Sequence, residues 1–266
     1  MKKYAVLFLL SMGLFFTSCV PTKDLIYLQT KDKGKAENNV TPVVIKPYRL
    51  QTNDILNITI KAIDPTLVAL FNPSNLESGN SFQGLSEQGL YFNGFIVNDH
   101  GNIRIPVLGE VNVLGYTLEE TRIKIEKELL ENYFNKEANI FVNVKLSGLR
   151  FTVNGEINLP GSKVLYQEKV NVLEAIANAG DILVTGDRKN VTVIRQYPHG
   201  TEIHDIDLTD VDVIKSPYYY LQPNDYIYVK PLKQKAWGTG KTGIESLSTI
   251  VTLLSLATTT YLLLTR

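Results

Sequence analysis

Leu50-Gln51-Thr52-Asn53-Asp54-Ile55-Leu56 returns late in the chain as Leu221-Gln222-Pro223-Asn224-Asp225-Tyr226-Ile227. Each copy sets an Asn-Asp turn signal directly before a run rich in β-branched and aromatic residues. Each therefore reads as a turn that launches a strand. A second pair, Gly109-Glu110-Val111-Asn112-Val113-Leu114-Gly115 and Gly155-Glu156-Ile157-Asn158-Leu159-Pro160-Gly161, precedes a helix signal each time. Two copies are too few for a solenoid. They predict two related α+β modules in tandem.

The pattern around these stretches fills in both modules. Ile55 to Ile60 reads as a strand, and Asn98-Asp99-His100-Gly101 as a hairpin turn joining Phe95-Ile96-Val97 to Ile103-Arg104-Ile105. Thr117 with Glu120 forms a capping box, after which Ile125, Leu129 and Tyr133 give a helix one apolar face. Ile140 to Leu146 is a further strand. The second module opens at Phe151. Asn171 with Glu174 is its capping box, Val172, Leu173, Ile176 and Ala177 its buried helical stripe, and Gly180 its helix stop. Strands follow at 191–194, near 203–208 and at 226–229. Residues 72–94, rich in Asn, Ser, Gly and Gln, read as a long functional loop.

The two ends differ from this middle. Met1-Lys2-Lys3 and the short apolar run to Phe16 have the form of a secretory signal peptide, and they lead to Thr17-Ser18-Cys19. Cys19 is the only cysteine of the chain, so no disulfide framework and no cysteine-based zinc cluster can form. At the other end 247–264 lacks charge, Gly and Pro. At about 1.5 Å per residue this run spans roughly 27 Å, enough for a transmembrane helix. Within it Ser248, Thr252, Ser255 and Thr259 fall on one helical stripe. That stripe suits a water-filled pore, or, as in an ordinary single-span anchor, hydroxyls bonded back to their own helix.

Composition excludes several functions. Lys+Arg and Asp+Glu are both 27, so the 266-residue chain has no net charge to spend on nucleic acid. There is no Gly-x-Ser-x-Gly elbow and no His-Glu-x-x-His helix. His100, His199 and His204 are scattered among turns and loops. Asp205, Asp207, Asp210 and Asp212 lack the glycine and distal glutamate of a calcium loop. Gly238-Thr239-Gly240-Lys241-Thr242 imitates a phosphate loop, but Lys235 stands where its first glycine belongs. The stretch reads instead as a juxtamembrane linker, with Trp237 at the interface. No catalytic residue, metal or cofactor is expected.

Several of these motifs together resemble a known family. Tyr48-Arg49-Leu50 with Asp54-Ile55-Leu56-x-Ile58, and Val97-Asn98-x-x-Gly101 through Pro106 and Gly109 to Gly115, resemble the polysaccharide export domain. Val153-Asn154-Gly155-Glu156 with Pro160-Gly161, through Leu173 and Ile176 to Ala179-Gly180, resembles the SLBB module, a β-grasp fold. Thr17-Ser18-Cys19 resembles a lipobox. The chain is similar to the Wza-like outer-membrane lipoproteins that export capsular or extracellular polysaccharide. The resemblance implies a signal peptide (1–18), a tether (19–46) acylated at Cys19, a polysaccharide export domain (47–148), one SLBB-like domain (149–232), a linker (233–246) and a transmembrane helix (247–264). It further implies a homo-oligomeric, octamer-like ring whose C-terminal helices line a pore with Ser248, Thr252, Ser255 and Thr259. Expected partners are the polysaccharide, outer-membrane lipid and an inner-membrane co-polymerase coupled to a tyrosine kinase. The alternative is a membrane-anchored lipoprotein that binds glycan or a partner and forms no channel; a glycan-processing enzyme would need a paired-carboxylate cleft.

Overall fold

The computed structural model describes residues 21–30, 47–72, 87–134, 138–197, 199–233, 235 and 243–264. Cys19, the linker motif at 238–242 and the 73–86 part of the long loop lie outside the described residues. The 87–93 part of that loop is helical.

In the first module β1 (Ile55–Lys61) lies between β2 (Phe95–Ile96) and β5 (Phe141–Leu146), both antiparallel to it. Its apolar residues alternate, so Leu56, Ile58 and Ile60 point into the core. β3 (Asn102–Ile105) and β4 (Gly109–Asn112) form a separate hairpin. The turn at 98–101 closes as expected, with Gly101 N–H donating to Asn98 O at 2.8 Å. The strand before it, however, ladders with β1, while β3 ladders with β4. Helix α1 (Pro65–Val68) starts on an Asp64 cap, and α2 (Glu87–Asn93) precedes β2. Helix α3 (Leu118–Asn132) begins at the Thr117–Glu120 capping box and packs on β5. Its buried residues are Thr121, Ile125 and Leu129; Tyr133 stays exposed and donates its hydroxyl to Val107 O at 2.7 Å.

The second module is one five-stranded sheet in the order β7-β6-β10-β8-β9. The strands are β6 (Leu149–Gly155), β7 (Gly161–Leu165), β8 (Gly186–Tyr197), β9 (Gly200–Ile206) and β10 (Asp225–Pro231). β6 and β10, first and last in sequence, run parallel in the centre, and all other pairs are antiparallel. With one helix, α4 (Val172–Asn178), between the two hairpins, this is the strand order of a β-grasp sheet. Val153, Ile227 and Val193 form a continuous cross-strand row beneath the helix. The helix buries Val172, Ala175 and Ile176, with Ala179 after it, while Ala177 faces solvent. Asn171 and Glu174 complete the capping box, and Gly180 (φ +80°) follows the helix end.

Residues 21–30, inside the stretch read as a tether, dock on this second module. Gln29 bridges Asp210 in parallel, Tyr27 and Leu28 pack on the core, and Lys189 pairs with Asp24 at 2.7 Å.

The expected transmembrane helix is corrected by the structure. A helix, α5 (Gly243–Leu264), does form. Among the described residues, however, no helix is long and apolar enough to cross a membrane. The cause lies in its composition: half of residues 248–261 are Ser or Thr, and each hydroxyl lowers the gain from burial in hydrocarbon.

Candidate functional site at the module junction

The two echoed turns have the same geometry. Asn53 (φ +68°) and Asn224 (φ +67°) both take the left-handed conformation that asparagine tolerates. In each, the following aspartate accepts from the backbone N–H of the glutamine three residues earlier. Gln51 to Asp54 and Gln222 to Asp225 are both 2.8 Å. Both aspartates are buried, at 2% and 1% exposure. Each turn therefore closes on the carboxylate that ends it, which reaches back three residues, and each feeds the strand that its module needs.

What faces each carboxylate differs. Asp225 meets Arg195 in a bidentate pair, with Nε to Oδ1 at 2.9 Å and Nη2 to Oδ2 at 2.7 Å. Burial works against the Arg195 charge, but the Asp225 hydrogen bonds and charge outweigh it, and the guanidinium stays protonated. Among the described residues Asp54 has no cation in this role. Tyr48 donates its hydroxyl to Oδ2 at 2.7 Å. Burial pushes the Asp54 carboxyl up to about 6, against the opposing pull of the Gln51 N–H and the Tyr48 hydroxyl. Burial and then the Asp54 charge hold the Tyr48 hydroxyl far above its ordinary range. The sequence signal for Arg195 is its register, which continues that of buried Val191 and Val193 along β8.

Between the turns lies a cavity of about 530 Å³. Asn53, Asp54, Ser147, Arg150 and Asn224 supply its polar wall; Tyr91 and Phe92 of α2 are its aromatic residues. Their rings meet edge to face at 5.4 Å, and Phe92 is 79% exposed. No sequence pattern singled out these two aromatics, because they sit in a stretch that is otherwise polar.

The residues predicted for the pore stripe are brought onto α5 and are not among the residues that line this cavity. Their hydroxyls turn back on their own helix: Thr252 donates to Ser248 O at 2.6 Å, Ser255 to Thr252 O at 2.8 Å and Thr259 to Ser255 O at 2.6 Å. The acidic cluster is spent on local contacts, with Asp205 accepting from Thr192 and Lys230 at 2.6 Å each. His204 stacks on Tyr218 at 3.8 Å. Among the described residues no group of His, Cys, Asp and Glu is placed to hold a metal ion.

Comparison with known proteins bears on the first module most directly. Residues 43–145 match the family described as polysaccharide biosynthesis/export protein. The chain is 29% identical over 182 residues to the EPS I polysaccharide export outer membrane protein EpsA of Ralstonia nicotianae, which covers 65% of this chain and 47% of the relative. With the EpsA protein of Ralstonia solanacearum it shares 29% identity over 151 residues, 56% of this chain and 39% of the relative. The chain thus spans less than half the length of these curated relatives. The first module matches the polysaccharide biosynthesis/export family, and the resemblance read from Tyr48 to Gly115 is borne out there.

Proposed function

We propose that this chain serves the export of an extracellular or capsular polysaccharide at the outer membrane, in a transport role and not a catalytic one. The observation that carries this reading is the family match over 43–145, which covers β1, β2, helix α3 and all of β5 but its last residue. The likeness to two proteins named for outer-membrane polysaccharide export supports the compartment and the cargo. The second module joins the first through two residues, Ser147 and Gly148, between β5 and β6, which supports both acting as one periplasmic body. On this reading Cys19 is acylated and holds the body at the membrane, since two or more acyl chains suffice for stable anchoring. Copies of the body assemble into a ring around a hydrated route, and inner-membrane machinery, a co-polymerase and its kinase, supplies the polymer.

Deletion and complementation test the reading. Loss of the chain should abolish surface polysaccharide while cell-associated polymer accumulates, and the intact chain should restore export. Normal export in the deletion strain would refute the proposal. Electron microscopy of the detergent-solubilised protein tests the ring. A monomer or dimer would overturn the ring and favour a membrane-anchored binding lipoprotein.

A further inference from the structure

Strand register gathers several loops at one end of the second module. β6 leaves the Ser147-Gly148 crossing at Leu149 and ends at Gly155, about 20 Å further on. β10 runs parallel to it and ends beside it, with Val229 opposite Gly155. β8 begins and β9 finishes at this same end, where Gly186 pairs with Pro231 and Ile206 with Val191. The turn after β6, the loop before β8 and the stretch after β9 are tied together there. Ile157 bridges Ile182, Leu183 N–H donates to Glu156 O at 3.0 Å and Leu208 N–H to Arg188 O at 2.9 Å. Residues 21–30 dock on this end. Tyr27 donates its hydroxyl to Asp181 and lies under the Arg188 guanidinium, Leu28 N–H donates to Leu208 O at 3.1 Å, and Lys189 pairs with Asp24.

Three large apolar side chains stand exposed at this end, each on a different segment: Ile26 at 50%, Leu159 at 57% and Val184 at 61%. Pro21, which opens the docked segment, stands two residues after Cys19. Two residues of backbone reach at most about 7 Å. We infer that this end of the second module is a membrane-facing surface, on which Ile26, Leu159 and Val184 settle into the headgroup region of the bilayer that holds the acylated Cys19. The inference rests on the acyl anchor of the export reading and adds an orientation to it. A body on a long free tether would offer the lipid any of its faces. Docking of residues 21–30 removes that freedom, because the anchor then leaves the fold at one fixed place. The three side chains belong to separate loops and form neither a groove nor a strand edge, so they suit a fluid apolar boundary better than a shaped protein partner.

Fluorescence quenching tests it, on the chain purified from membranes and returned to phosphatidylethanolamine–phosphatidylglycerol vesicles. Leu159→Cys, Val184→Cys and Tyr166→Cys each take a thiol-reactive NBD label, and the quencher is a lipid with a doxyl group just below its headgroup. Acylation occupies the Cys19 sulfur, so each variant is labelled at one position. Tyr166 is as exposed as Val184 but lies at the other end of the same sheet, next to Leu165, which pairs with Leu149. Quenching should be about threefold stronger at Leu159 and Val184 than at Tyr166. A flexible Gly-Ser spacer inserted between Val20 and Pro21 leaves the docked contacts in place and lengthens the reach of the anchor; it should lower quenching at Leu159 and Val184 about twofold. Quenching there that is no stronger than at Tyr166, or that the spacer leaves unchanged, would overturn the surface. A parent chain that takes the label at Cys19 would overturn the anchor and the surface together. Polysaccharide export that persists in a strain without the chain would refute the export reading alone.

Discussion

Replacing Asp54 by asparagine isolates the difference between two otherwise equivalent turns. Asp225 has Arg195 against it, whereas among the described residues Asp54 has the Tyr48 hydroxyl and the Gln51 N–H. Burial therefore raises the Asp54 carboxyl from 3.8 to about 6. A folded-state value above the unfolded one means that the native protein holds this proton more tightly. Stability from this group is then highest below about pH 4 and falls as pH rises to about 6. About two pKa units correspond to about 3 kcal/mol, lost in full above that window. The amide introduced by Asp54→Asn cannot titrate, yet its carbonyl can still accept from Gln51 and Tyr48, so the turn survives. Other carboxylates titrate alike in both proteins and cancel in the difference. Urea denaturation, read by pulse-labelling hydrogen exchange on β1 and β2 peptides, should show Asp54→Asn gaining on the parent by about 3 kcal/mol between about pH 4 and about pH 7. A stability difference that stays constant with pH would refute the reasoning.

Three further outcomes follow from the packing. Arg195→Met leaves Asp225 charged and uncompensated at 1% exposure and should cost about 3–5 kcal/mol in urea denaturation, with part of the loss recovered by adding Asp225→Asn. Gly155→Ala should destabilise by at least about 2 kcal/mol, because at φ +94° its Cβ would lie 2.1 Å from Val229 O; Gly109→Ala, at φ +88° with nothing within 4 Å, should lose about 1 kcal/mol in the same assay. Thr117→Ala and Asn171→Ala each remove a capping-box acceptor and should each cost about 1 kcal/mol, read as earlier urea unfolding of the module that carries the change.

The parts of the fold that the sequence disclosed are those governed by neighbours along the chain. Both capping boxes, the Gly180 stop and the two Asn-Asp turns depend on residues no more than four apart, and all are present. What stayed hidden depends on partners far away. The Phe95–Ile96 strand looks like one arm of a local hairpin, yet it ladders with β1, because Asn53 N–H donates to Val97 O and Val97 N–H donates to Asp54 O. The register of Arg195 along β8 marks it as inward-facing, but its partner Asp225 lies 30 residues away and carries no local signal. The docking of Tyr27 and Leu28 beside Leu208 has no local signal at all. The membrane helix failed for another reason: an uncharged run satisfies the length rule while its hydroxyls withhold the apolar surface that the rule assumes.

The echo of the two turns gains a mechanical meaning at the junction. The chain crosses between modules at Ser147-Gly148, where Gly148 (φ +100°) leaves no room for a side chain, since a Cβ would sit 2.5 Å from Val164 Cγ1. On one side of this crossing Ser147 N–H donates to Ile55 O at 2.9 Å, one residue past the first turn. On the other, Asn224 N–H of the second turn donates to Arg150 O at 2.7 Å. Each turn thus holds one flank of the same crossing strand, and Tyr48 of the first lies within the electrostatic reach of Asp225 and Arg195 of the second. Both bonds lie within a module, so what spans the junction is the two-residue Ser147-Gly148 connection and the electrostatic contact of Tyr48 with Asp225 and Arg195. Each turn therefore fixes the wall that its own module contributes to the cavity, and the relation between the two walls rests on the short connection at Ser147-Gly148.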